Sequence, residues 1–180
     1  MNLLKKVLIN LSLILIVFVI YFLQSNFFNW FTIAKVMPNL FVLFVLFVGL
    51  FTNKFLGAIY GAVIGAILDI LFRSKIGISM IALGLVGLLA TLFNKNFSKD
   101  SRITIMLMVS GLTVIYEVIV YFATYFVFST SIEIWSFIRI LIIEVIFNLF
   151  ITIIIYPLFQ KFGYYIENEF KGNRILTRYF

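Results

Sequence analysis

The sequence predicts an all-α integral membrane protein with six transmembrane helices. Of its 180 residues, 64% are hydrophobic and only 12% are charged, and the mean hydropathy is +1.18. Soluble domains have roughly half apolar and a quarter charged residues, and a soluble fold of this length has too small an interior to hide so much apolar surface. The apolar segments are continuous rather than alternating, as in LILIVFVIYF, which favours helices over barrel strands.

The helical segments are expected to form one transmembrane domain that covers residues 1–180. The second and fourth are short for an apolar layer of ~30 Å, so we expect tilt, local thinning of the bilayer or burial among neighbours. The first follows Lys5 and Lys6 as in a signal peptide, but it is long enough to span and no small-residue cleavage site follows, so a retained anchor is predicted. Residues 160–180 are expected to be a cytoplasmic tail. The predicted helices cover residues 7–23, 38–52, 55–72, 78–93, 103–127 and 136–159.

The residue types that are missing narrow the chemistry. The chain has no cysteine and no histidine, which excludes disulfides, thiolate chemistry and histidine metal sites. The net charge is +7, but no long basic run is present, so the sequence does not predict a nucleic-acid partner. We therefore expect no cofactor, no metal and no nucleic acid.

Lysine and arginine are distributed unevenly among the gaps between the helices, which predicts the orientation. The richer gaps should be cytoplasmic, and six spans then place both termini in the cytoplasm. One alternating set of gaps holds ten basic residues: Lys5, Lys6, Lys54, Lys95, Lys99, Arg102, Lys161, Lys171, Arg174 and Arg178. The other set holds three: Lys35, Arg73 and Lys75.

A stripe of small residues runs along the third predicted helix. Gly57, Gly61 and Gly65 recur at every fourth position, and Asp69 continues the spacing. Because four residues are slightly more than one helical turn, these positions share one face. Small residues there allow close approach of another helix backbone, which is how helices associate in lipid. Packing within the chain is the simpler interpretation, and contact with a partner protein is the alternative.

Four charged residues fall inside predicted spans, where each should face the bundle interior. Helical rise places Asp69, Glu117, Arg139 and Glu144 in the outer half of the membrane, although they come from three helices. We expect one polar cluster in which Arg139 compensates a carboxylate and Asn148 extends the face of Glu144. Three interpretations stay open: a buried structural network, a ligand or proton site, and a partner contact.

The sequence resembles the MreD family of rod shape-determining membrane proteins of bacteria. The resemblance depends on Pro38-Asn39-Leu40 at the start of the second helix and on Gly61-x3-Gly65-x3-Asp69 in the third. Gly77, Asn148 and Tyr156-Pro157-Leu158 complete it, together with the length, the six spans and the cytoplasmic N-terminus. It extends over nearly the whole chain.

This resemblance implies a non-enzymatic scaffold of the cell-wall elongation complex in the cytoplasmic (inner) membrane. The implied partners are an MreC-like protein, a RodA-like glycosyltransferase, its penicillin-binding transpeptidase and MreB filaments on the cytoplasmic side. The implied fold resembles the substrate-binding subunits of energy-coupling-factor vitamin transporters.

Two other function classes stay open. A transporter subunit of the energy-coupling-factor type has a similar size and helix number, but its first helix usually carries an alanine pair that docks on the coupling subunit. Segment 7–23 contains neither alanine nor glycine and does not offer that surface. An intramembrane enzyme could use Asp69, Glu117 and Glu144 for acid–base chemistry, but the chain shows no nucleophile–base arrangement, metal-ligand spacing or phosphate loop.

Overall fold

The structure, a computed structural model, describes residues 3–52, 55–72, 76–96, 101–129 and 133–171. Within these ranges the chain is helical throughout, apart from short connections and an isolated bridge between Ile33 and Val36, which confirms the predicted all-α class. The first helix, α1, continues through a π-helical turn (Leu23–Phe27) and a last short turn (Phe28–Trp30). The six helices are α1 (Leu3–Phe22), α2 (Leu40–Phe51), α3 (Leu56–Phe72), α4 (Ile78–Asn96), α5 (Arg102–Phe128) and α6 (Ile134–Lys171).

Three helical segments are long and apolar enough to cross a membrane, namely Val7–Trp30, Arg102–Phe128 and Ile134–Glu167. The helices α2, α3 and α4 are apolar but shorter. The twelve residues of α2 extend over only ~18 Å, well below the ~30 Å of a hydrocarbon core. The number of complete membrane crossings therefore stays a prediction.

The short helix α2 is the centre of the bundle. Every residue from Leu40 to Phe51 is buried, and the helix contacts all five others. A helix that is apolar on all sides is stable only when protein or lipid surrounds it completely. Here protein does so, and the expected burial of the second helix among its neighbours is confirmed.

The helix α1 lies at the periphery and buries only one stripe. Ile9 and Leu13, one turn apart, are 4% and 0% exposed, whereas Leu15 and Phe18 are 65% and 70% exposed. An apolar side chain directed outwards is unfavourable in water but favourable in hydrocarbon. The outer surface of α1 is therefore suited to a lipid environment.

The last helix is longer than the sequence predicts. Residues 160–171, assigned to a cytoplasmic tail, continue α6 through Pro157 to Lys171. The extension is held by packing against α2, because Ile166 is fully buried and Gly163 leaves space for the ring of Phe51. The proline removes one backbone hydrogen bond of the helix, and the packing of the extension outweighs that loss. Residues 172–180 of the predicted tail lie outside the described residues.

Candidate functional site

The glycine stripe of α3 faces α4 at very short range. A Cβ atom placed on Gly61 would lie 2.2 Å from the carbonyl oxygen of Leu83, and one placed on Gly65 would lie 2.2 Å from that of Ser79. No real side chain fits at such distances, so the two backbones touch. The pair α3–α4 is accordingly the most extensive helix contact of the bundle.

The same stripe also reaches α2 at the end that begins with Gly57. A Cβ atom on Gly57 would lie 2.6 Å from Cα of Gly49 on α2, and one on Gly87 of α4 would lie 2.1 Å from the carbonyl oxygen of Gly57. Three helix backbones therefore meet through glycine. In the structure this stripe is occupied by helices of the same chain, as the simpler interpretation expects.

Asp69, the last member of the stripe, is fully buried and caps the start of α4. Its carboxylate accepts hydrogen bonds from the backbone N–H groups of Gly77 (2.9 Å), Ser79 (2.9 and 3.0 Å) and Met80 (3.2 Å). The first N–H groups of a helix have no partner within the helix, and a carboxylate also interacts favourably with the positive end of its dipole. Gly77 has φ +126° and no side chain, so the neighbouring helix supplies the cap.

A second polar group holds the start of α2 between α5 and α6. The amide of Asn148 accepts a hydrogen bond from the N–H of Asn39 at 2.8 Å and donates one to the hydroxyl of Thr113 at 3.0 Å. Gln24 accepts from the N–H of Leu40, and the side chain of Asn39 accepts from Val42. Asn148 and Thr113 are both fully buried. The N–H groups at the beginning of the central helix are thus bound by Asn148, by Gln24 and by the helix's own cap, Asn39.

The two glutamates lie beside this polar group. The carboxyl group of Glu144 on α6 is 6% exposed and lies against the carboxyl group of Glu117 on α5 and the side chain of Asn39. The structure therefore brings together Glu117, Glu144 and Asn148, three of the five residues of the expected cluster.

The other two members of the predicted cluster are elsewhere. Asp69 belongs to the α3–α4 junction, because its oxygens accept the N–H groups at the start of α4. Arg139 does not compensate a carboxylate in the described structure: its side chain is exposed, since the first turns of α6 stand at the edge of the bundle. The expected single cluster is divided into two sites, and the exposed Arg139 belongs to neither.

Sequence reasoning missed three residues of the polar group, namely Gln24, Asn39 as a cap, and Thr113. Asn39 carried a usable signal, because an asparagine after a proline and directly before an apolar helix is a typical N-cap. Gln24 and Thr113 carried a weaker one, as uncharged polar residues beside or within apolar segments.

Comparison with known families gives one assignment. A family model described as rod shape-determining protein MreD matches residues 5–165. This chain belongs to the MreD family. No curated protein and no solved structure matches it.

The MreD membership makes this chain a rod shape-determining membrane protein. The residues on which its resemblance to MreD depended now have physical roles. Asn39 and Asn148 fix the start of the central helix, and Gly61, Gly65 and Asp69 join α3 to α4. In this member of the MreD family, these residues hold the bundle together.

Proposed function

We propose that this chain is a non-enzymatic scaffold of the cell-wall elongation complex, which it joins by lateral contacts within the cytoplasmic membrane. The observation that carries the proposal is the MreD match over residues 5–165. The arrangement of polar groups supports it, because Asp69, Asn148 and Asn39 bind helix starts and not an open cleft. The comparisons offer no support for the transporter alternative.

The proposed partners are an MreC-like protein, a RodA-like glycosyltransferase with its penicillin-binding transpeptidase, and MreB filaments on the cytoplasmic side. Since α2 and α4 cover the glycine stripe, partner helices would contact the outer faces of the bundle instead. The periphery of α1 is one such face, with Leu8, Leu15 and Phe18 directed outwards. The resemblance of the whole chain to the substrate-binding subunits of energy-coupling-factor transporters stays a prediction about its fold.

Affinity purification of the tagged chain from its own membranes in mild detergent tests the scaffold. We expect an MreC-like protein and a RodA-like glycosyltransferase in the eluate. Recovery of an ATPase pair with a coupling subunit would contradict the proposal and favour the transporter.

We further propose that all six helices lie in the bilayer with both termini cytoplasmic. The support is the distribution of basic residues, several of which, including Lys54, Arg73 and Lys75, lie outside the described residues. Since the chain has no cysteine, single cysteines can be labelled without background. Exposed Thr32→Cys should react with a membrane-impermeant maleimide on intact cells, and exposed Lys161→Cys only after permeabilisation. The reverse labelling pattern would mean that both termini lie outside the cytoplasm.

A further inference from the structure

Two carboxyl groups meet inside the bundle at one level. Glu117 on α5 and Glu144 on α6 are each about 15 Å along their helices from the α5–α6 connection, so the antiparallel helices place them side by side. The carboxyl of Glu144 lies against that of Glu117, and Glu144 is 6% exposed. Neither group is at a helix end, where water could solvate it.

One oxygen of this pair has no partner within the described structure. Oε1 of Glu144 is buried and accepts no hydrogen bond, and the same is true of the hydroxyl of Tyr121, one turn beyond Glu117 on the same face of α5. Buried polar atoms nearly always have a partner, so an orphan at the meeting point of two acids indicates a missing species. A carboxylate oxygen can receive only a donor or a cation.

Within the described residues, the groups that act on the carboxyl of Glu144 are Glu117 and Asn39, and neither is a cation. The helix α2 carries no ionisable residue, and its start, capped by Asn39 against Glu144, contributes about half a positive charge. On α5, Arg102 lies over the ring of Tyr156. On α6, Arg139 and Lys161 are exposed. Lys5 and Lys6 are at the far beginning of α1.

A buried Glu144 carboxylate beside a second carboxylate, opposed by one helix end, is too costly in a medium of low dielectric constant. One added positive charge would leave a single negative charge facing the positive end of α2. We propose that Glu117 and Glu144 form a binding site for one small monovalent cation, either a proton or an alkali-metal ion. For this pair the proton and the alkali-metal ion have one property in common: each is a single positive charge held between carboxyl oxygens. Hard ions prefer oxygen ligands of this kind.

Thermal unfolding of the purified full-length chain in detergent tests the site and separates the two sources. Melts are recorded in sodium, potassium, lithium or choline chloride at equal ionic strength, from pH 6 to pH 9. An alkali-metal site predicts a Tm higher by about 5 °C than in choline at saturating ion. A proton site predicts no difference among the salts but a Tm that falls by a similar amount as the pH rises and the shared proton is lost. Either response should disappear in Glu144→Gln.

Glu133→Gln is the matched control, because Glu133 is an exposed residue just before α6 that accepts a hydrogen bond from Ser136. It should keep the response of the wild type. Equal responses in the wild type and in Glu144→Gln would overturn the proposal. If Glu144→Gln does not fold, Glu117→Gln replaces it. If neither variant folds, infrared spectra and melts of the wild type decide. A protonated-carboxyl band that disappears at high pH, or an effect of alkali-metal ions on Tm, supports the site. The absence of both overturns it.

Discussion

Replacing Gly61 with leucine is expected to leave no folded protein in the membrane. Even the first atom of a new side chain would lie 2.2 Å from the carbonyl oxygen of Leu83, which belongs to a helix backbone and cannot rotate away. In lipid, helices associate through close van der Waals contact, so forcing α3 and α4 apart removes the main attraction between them. The measurement is the yield of monodisperse protein after extraction in mild detergent.

The smaller change Gly61→Ala should lower stability by about 1–3 kcal/mol, the usual cost of overpacking. Gly84→Ala is its matched control on α4, because a Cβ atom there would lie at an ordinary 3.5 Å from Cβ of Ala62. That variant should remain within roughly 0.5 kcal/mol of the wild type. Equal stability of the two variants would mean that α3 and α4 are not in backbone contact.

Replacing Asp69 with alanine should lower the stability by about 3–5 kcal/mol. The N–H groups of Gly77, Ser79 and Met80 would lose a charged acceptor, and each hydrogen bond to a charged group contributes roughly 1.5–3 kcal/mol, part of which water recovers. The loss should appear as a lower midpoint of thermal unfolding. The stability of Asp69→Asn should lie between those of the wild type and of Asp69→Ala, because the amide retains one acceptor oxygen but presents an NH₂ group to the same donors.

Glu133→Ala is the control for Asp69, since it also removes a carboxylate near a helix start, but an exposed one whose hydrogen bond goes to the hydroxyl of Ser136. It should change stability by roughly 0.5 kcal/mol at most. If both variants unfold at the same temperature, the cap on α4 does not stabilise the bundle, and the role assigned to Asp69 is wrong.

The sequence predicts the helices and their small-residue face well, because both depend on local composition and on the helical period. The shortness of the second helix also follows, but its burial is only one of three possibilities that the sequence leaves open, beside tilt and local thinning of the bilayer. The end of α6 does not follow, because a proline and mixed residues resemble a tail. Only the contact of Gly163 and Ile166 with the rest of the bundle shows that the helix continues.

The depth of a residue along its helix does not by itself predict which residues of the candidate sites contact each other. Asp69, Glu117, Arg139 and Glu144 have similar predicted depths, yet only Glu117 and Glu144 meet. Depth gives the height of a residue in the bilayer, whereas contact also requires knowledge of which helices are neighbours and how each is rotated. Arg139 is exposed because the first turns of α6 stand at the edge of the bundle, which the charge pattern alone does not reveal.

The sequence by itself determined the class of this protein: a helical membrane protein of the MreD type, with a glycine stripe and buried acids in its apolar helices. These features depend on residues near each other in the chain, which the helical period relates directly. The tertiary structure decided that α4 occupies the stripe, that Asp69 caps α4, and that Glu144 meets Glu117 with one oxygen unpaired. Those contacts join separate helices, and only the packing of the whole bundle specifies which helices adjoin.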